Sequence, residues 1–344
     1  MKDFERMSKY AGMREDLVQA GGGNSAYKIA NDKMAIKASG YQLADITEKT
    51  GYAIVNPKII RDAFLNCADL EVMTEEESRE ILSESYIEGA RPSIETFLHA
   101  ISGRYSLHTH PIVVNALACR KNGEEQLRKL FPESLIVPYA TPGVLLAKTY
   151  FKAYKAYMEK NDAEPEFVFL MNHGFLTSAE TANEVIALTE KVTSRIERFL
   201  DVDYTEYHNM SLLQSLYGTG IIWKVTDANI IRAYEELNGW WDHAFCPDCI
   251  VFLGKSMYVT TDITDKAEFS NFVAKNGYPT VIDINGELYI HADSVKKALE
   301  TQSVLSFSAQ VMLLNKGEEC EMLSEEERNF LLNWDAEKYR KCLK

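Results

Sequence analysis

The chain has no stretch approaching the roughly 18 to 20 consecutive apolar residues that a membrane-spanning helix needs. Its start, Met1 to Gly23, is polar and charged. Neither a span nor a signal peptide is therefore expected. Positive charge is in short supply, with 37 Lys and Arg against 51 Asp and Glu and a formal net charge of −14. Such a field repels a phosphate backbone and an anionic bilayer, which argues against nucleic acid and membrane as partners. Cysteine is sparse: Cys67, Cys119, Cys246, Cys249, Cys320 and Cys342 are scattered through 344 residues. Without a secretory context a reducing, cytoplasmic location is the expectation. Cys246-Pro247-Asp248-Cys249 has the spacing of half a zinc knuckle or of a redox pair, but no second such pair occurs to complete a four-thiolate site. Walker A and dinucleotide fingerprints are missing too, so a nucleotide cofactor is unsupported. There is no internal repeat or low-complexity tract.

What is present is ordinary globular composition, 46% hydrophobic and 26% charged, with ample material for a large core. The length points to two domains. After an early helix and the run Gly21-Gly22-Gly23-Asn24-Ser25, the segments Ala26 to Ile29 and Met34 to Lys37 read as short strands turning at Asn31-Asp32. Glu75, Glu76 and Glu77 load the first turn of a helix from Thr74 to Ser85, and Arg91-Pro92-Ser93 reads as the start of another. Tyr105 to His110 and Glu166 to Met171 read as central strands. Pro142-Gly143 opens a helix reaching about Lys160, and Thr177 or Ser178 is expected to cap a long one ending near Asp201. Residues 1–205 thus mix a sheet with flanking helices. Residues 206–344 read as a polar, aromatic-rich bridge and a smaller α/β domain from about Asn238. There Asn285-Gly286 suits a type I′ hairpin between Thr280–Ile284 and Glu287–His291. A helix from about Ser294 to Leu314 follows, and Ser324 with Glu327 forms a capping box for the last one.

Two imidazoles spaced two residues apart on a strand, His108 and His110, emerge on one face, a good arrangement for two ligands of one metal. His173 ends the other apolar strand beside Gly174. Three neutral imidazoles would leave an open position, as catalytic zinc sites do. The plain alternative is that His108 and His110 only hydrogen-bond within the sheet and His173 is a loop residue. Glu95, read as lying early on a proline-started helix, shares a face with His99. Its apolar neighbours Phe97 and Leu98 suggest partial desolvation and a raised pKa, the competing reading being an ordinary glutamate of a helix N-terminus. Gly22-Gly23-Asn24-Ser25 and Lys37-Ala38-Ser39-Gly40 are turns whose backbone donors suit an oxyanion.

Taken in order, Gly23-Asn24-Ser25, Lys37-Ala38-Ser39-Gly40, Arg91-Pro92-Ser93-Ile94-Glu95-x-x-x-His99, His108-x-His110-Pro111, Pro138-Tyr139-x-x-Pro142-Gly143 and Asn172-His173-Gly174 resemble the class II aldolase/adducin family. The likeness is greatest to the aldolase portion of the long rhamnulose-1-phosphate aldolase proteins. It extends more faintly to Phe245-Cys246-Pro247-Asp248 and to Asn333-Trp334-Asp335-Ala336-Glu337-Lys338-Tyr339. The resemblance implies a three-layer α/β/α catalytic domain around a mixed or antiparallel sheet. It implies Zn²⁺, or another divalent ion, on His108, His110 and His173, with Glu95 as acid/base. Asn24, Ser39, Gly40 and Ser93 would bind a substrate phosphate, although Ile94 stands where shorter aldolases carry a second serine. Tyr139, or a tyrosine of a neighbouring subunit, would protonate the aldehyde oxygen. The implied reaction is aldol cleavage or condensation of a ketose phosphate through an enediolate, in a symmetric oligomer, commonly of four subunits. The rivals are a sugar-phosphate epimerase or dehydratase on the same site, and an adducin-like binding protein without catalysis. His208, His243 and His291 lie outside the matched motifs and read as surface or packing residues.

Overall fold

A computed structural model describes residues 1–67, 69–237, 239 and 244–333. His243, Cys342 and the motif from Trp334 onward lie outside them. The chain divides into two compact units, Met1–Thr205 and Glu206–Lys344. No helix among the described residues is long and apolar enough to cross a membrane.

The first unit is built on eight strands: β1 Asn24–Ala30, β2 Lys33–Lys37, β3 Tyr52–Val55, β4 Tyr86–Gly89, β5 Tyr105–Thr109, β6 Leu135–Val137, β7 Phe167–Leu170 and β8 Gly174–Ala179. Their order is β4-β3-β2-β1-β5-β8-β7-β6. Every neighbouring pair is antiparallel except β6 with β7. Because side chains alternate across a strand, β7 feeds two cores. Val168 and Leu170 pack with the helices Pro57–Leu65, Thr96–Ala100 and Val144–Met158. Phe167 and Phe169 pack on the other side with Ile112–Ala118, Gly123–Leu130 and Ala182–Leu200. The result is three layers, with a mixed sheet whose strands β5 to β8 are buried.

Two expectations need correcting. Thr177 and Ser178 cap nothing: they lie in β8, paired with Leu107 and Ser106 of β5. The long helix Ala182–Leu200 is capped instead by Thr181, in a reciprocal box with Glu184. The four residues Thr-x-x-Glu supply both donors and acceptors that a helix start needs, whereas the hydroxyl of Thr177 bonds Thr189. Arg91-Pro92-Ser93 likewise starts no helix. Pro92 forms a bridge with Ala38, and the helix is the short Thr96–Ala100 with Glu95 at its N-cap. Ser93 makes the turn that leads into it, accepting from Thr96 N at 3.1 Å.

The second unit has a four-stranded sheet in the order β10-β11-β12-β9, with β9 Ile221–Lys224, β10 Tyr258–Thr260, β11 Val281–Ile284 and β12 Glu287–Ala292. The stretch expected as a bridge carries the helices Thr205–Tyr217 and Ala228–Glu236 around β9. Between β11 and β12, Asn285 and Gly286 both have positive φ, 53° and 93°, as a type I′ turn requires. Ser294 caps the helix Val295–Leu314.

Candidate metal centre

Three neighbouring strands and one short helix bring the site together. His108 sits on β5, on the face opposite Leu107, and across the ladder from Asn24 of β1. Its Nδ1 bonds the Phe175 carbonyl of β8 at 3.0 Å. A carbonyl only accepts, so the proton is on Nδ1 and the Nε2 lone pair faces the site. His110 follows the end of β5, where its N–H donates to Leu17 O at 2.9 Å, and Pro111 ends the strand and caps the helix Ile112–Ala118. His173 comes from the tight link between β7 and β8, at whose apex Asn172 takes φ 54°. His173 N–H closes that link onto Leu170 O at 3.1 Å.

The side chains converge. Nε2 of His108 and Nε2 of His110 are 3.1 Å apart. Glu95 Oε1 is 3.3 Å from His173 Nε2 and 3.6 Å from His108 Nε2. One donor atom from each of Glu95, His108, His110 and His173 lies within 4.8 Å of the others, and the four could hold a metal ion. Two glycines make room. At Gly174 an added Cβ would lie 2.5 Å from Thr109 O and 2.9 Å from His108 Cε1, and at Gly22 it would lie 2.9 Å from His110 Nδ1.

Electrostatics agree with a donor set for a cation. Burial, then repulsion from His108 and His173, pushes His110 down to about 3. Burial also lowers His108, against the pull of Glu95. Both rings are therefore neutral donors at neutral pH, the form that binds metal. Glu95 was expected to have a raised pKa, and the structure reverses the sign. Burial does push its carboxyl up, but His108 and the hydrogen-bonding His173 outweigh it and hold the group well below the usual carboxylate range. Asn24 adds to this by donating its amide to Glu95 Oε2. Glu95 is thus an ionised carboxylate pointing at three imidazole nitrogens. That cluster gathers nitrogen donors around a negative charge, and the donor types suit a divalent first-row metal.

Of the other residues singled out in the sequence, Ser93 accepts from Glu95 N–H through Oγ at 3.3 Å. Ser39 and Gly40 form the exposed turn after β2, with Ser39 N–H donating to Arg91 O at 2.8 Å. Tyr139 stands apart, 60% exposed after β6, and no hydrogen bond joins it to the four. Two more residues of the quoted motifs, given no role of their own in the sequence reading, lie buried near the four. Lys37 is buried, with its ammonium 3.3 Å from the Gly21 carbonyl and in the field of Glu95. A lysine closing the apolar strand Met34-Ala35-Ile36 was the available signal. His99 is fully buried, Nδ1 on Ser106 Oγ at 2.7 Å, and burial followed by repulsion from His108 brings it down to about 3.

Residues 6–199 match the family model of the class II aldolase and adducin N-terminal domain. Among solved structures, the N-terminal class II aldolase domain of a conserved protein from Thermoplasma acidophilum is 27% identical, over 58% of this chain and 92% of its own, with a TM-score of 0.50. YgbL of Klebsiella pneumoniae, a putative aldolase/epimerase/decarboxylase, is 14% identical, over 58% of this chain and 87% of its own, at TM-score 0.41. An L-fuculose 1-phosphate aldolase is 18% identical, over 62% and 95%, at TM-score 0.40. No curated protein matches the chain.

Proposed function

Because this chain belongs to the family of class II aldolase and adducin N-terminal domains, we propose that its first unit is a metal-dependent aldehyde-lyase. It would cleave and rejoin a carbon–carbon bond of a ketose phosphate. The observation that carries this reading is the convergence of the ionised Glu95 on the Nε2 atoms of His108 and His173, with His110 beside them. A binding module without catalysis has no need of so costly an arrangement of buried polar groups.

His108, His110 and His173 are the proposed ligands. A divalent ion there, zinc foremost, supplies Lewis-acid stabilisation for negative charge on substrate oxygens. Glu95 does the proton work. As a carboxylate it accepts a proton from the carbon next to the ketone in the condensation direction, and in cleavage it returns one to the same carbon. Asn24 fixes one carboxylate oxygen, which leaves Oε1 on the side of the imidazoles. An anionic sugar enters an acidic protein because local donors outweigh distant carboxylates. The proposed donors are Asn24, Ser39, Gly40 and Ser93, joined by the buried ammonium of Lys37.

Chelation decides the matter. Dialysis against a strong chelator is expected to abolish turnover of a ketose phosphate, and zinc to restore it. Undiminished turnover by metal-free protein sinks the proposal. Glu95→Gln should reduce the rate by about 10² to 10⁴ while the metal stays near one per chain. Product analysis separates cleavage from epimerisation, since only cleavage yields two carbonyl fragments.

A further inference from the structure

The second unit holds a pair of reactive side chains that the proposed lyase chemistry leaves unused. The sulfur atoms of Cys246 and Cys249 are 3.5 Å apart. Cys119 and Cys320, by contrast, turn their sulfurs to the backbone carbonyls of Ala116 and Glu318. The pairing follows from local geometry. Pro247 takes the first position of the helix Pro247–Leu253 and presets its φ. The Cys249 N–H closes onto Cys246 O at 3.2 Å, so the side chains three residues apart meet on one side of the turn.

The two thiols are not equivalent. Cys249 is 4% exposed and packs with Ala244 and Ile250, whereas Cys246 lies half-buried at the edge of that cluster. Burial, followed by the hydrogen bond to Cys246, pushes the Cys249 thiol up to about 11, so at neutral pH Cys249 stays protonated. An accessible sulfur backed by a buried partner is the arrangement of an attacking and a resolving thiol. A metal knuckle is the less favoured reading. Among the described residues no third Cys, His, Asp or Glu joins the pair within ligand distance, and two thiolates fall short of the four donors of a structural zinc site.

We propose that Cys246 and Cys249 form a dithiol–disulfide couple that exchanges with low-molecular-weight disulfides of the glutathione type. Cys246, as thiolate, attacks one sulfur of the small disulfide. That S–S bond breaks, a mixed disulfide forms on Cys246, and the departing half takes up the proton Cys246 gave to solvent. Cys249 then loses its proton and attacks the Cys246 sulfur, displacing the second half as thiolate, which is protonated in turn. Two protein thiols are oxidised, one small disulfide is reduced to two thiols, and both protons end on the thiols released.

The test uses the reduced full-length chain in glutathione buffers of increasing oxidised fraction, quenched with acid, alkylated and read by peptide mass. The peptide containing Cys246 and Cys249 is expected to lose two hydrogens, about 2 Da, and to escape alkylation, with dithiothreitol reversing both changes. Exposed Cys119 should take up the alkylating agent under reducing conditions and form no intramolecular bond at any ratio. In Cys249→Ser the reaction should stop with one glutathionyl group on Cys246, and in Cys246→Ser capture at the remaining thiol should slow severalfold. Two results overturn the proposal: native protein whose Cys246 and Cys249 both stay alkylatable in buffers that oxidise the urea-unfolded chain, or wild-type protein that retains glutathione on Cys246. The wild-type measurement stands even if either variant fails to fold.

Discussion

The first unit contains two buried polar clusters built on opposite plans. In one, Arg14 is fully buried and gives Nε and an amino nitrogen to the two oxygens of Asp16 at 2.9 and 2.5 Å. Its other amino nitrogen goes to Glu190, which also accepts from the Tyr10 hydroxyl at 2.8 Å. The pairing is reciprocal: burial lowers Arg14, but Tyr10, Asp16 and Glu190 together outweigh it and raise it, and burial together with Glu190 keeps Tyr10 protonated. In the other cluster, Glu95, His108, His110 and His173 each bring one potential ligand atom to a common point. Both clusters bear the cost of leaving water. The first recovers it from its own members and so is architecture, tying the helix Lys2–Gly12 and the following turn to the helix Ala182–Leu200. The second is only partly paired, Glu95 with Asn24 and His173, and gathers its ligand atoms where a metal ion could be held.

That contrast can be broken most forcefully at Arg14. Arg14→Met takes the guanidinium away from the buried Asp16 and the partly buried Glu190, and a cost of about 3–5 kcal/mol is expected in urea unfolding of the first unit. A loss below about 1 kcal/mol would show that the cluster is not structural. His110→Ala is the opposite case. Metal content should fall from near one per chain toward zero, while metal-free stability changes by no more than about 1 kcal/mol; a collapse of the metal-free fold would make His110 as structural as Arg14. Gly174→Ala falls between the two, because its Cβ meets Thr109 O at 2.5 Å. It should lower both stability, by about 1–3 kcal/mol, and metal affinity, read by titration with a competing chelator. The smallest effect is expected at Thr181→Ala, which uncaps the helix carrying Glu190 at a cost of about 1 kcal/mol and leaves metal content unchanged.

Acid sharpens the comparison further. His99 and His110 are both brought down to about 3 in the folded unit, against about 6.5 in an unfolded chain. Between those values the unfolded state binds more protons, so stability should decline as pH falls from about 6.5 toward 3. His99→Gln should flatten that slope by close to one proton, measured as unfolding free energy against pH. An unchanged slope would mean that His99 is charged in the fold.

Local features were legible because they depend on residues a few positions apart. The Ser324 capping box stands where the chain spells it, the helix loaded by Glu75 to Glu77 starts there, and Asn285-Gly286 makes its hairpin. His108 and His110 were readable as a pair because a strand alternates. The errors came where two local signals competed. Thr177 and Ser178 look like caps, yet β8 needed them for pairing with β5, and the true cap lay a few residues on. Pro92 reads as a helix start, yet it sits in a bridge to Ala38. The motifs put Lys37 in a turn and His99 on one face with Glu95, but their burial was unreadable, since it is not a property of their own segments.

By itself, the order of residues determined the chemistry on offer: three imidazoles, one carboxylate, and glycines and turns at the positions where strands stop. Only the tertiary structure decided that residues 24, 95, 108 and 173 meet, because the strand order β1-β5-β8 makes neighbours of segments far apart in the chain. It also decided their protonation. A carboxyl placed among apolar residues alone would climb in pKa, but Glu95 is held down by rings that the fold, and no local rule, brings within 4 Å.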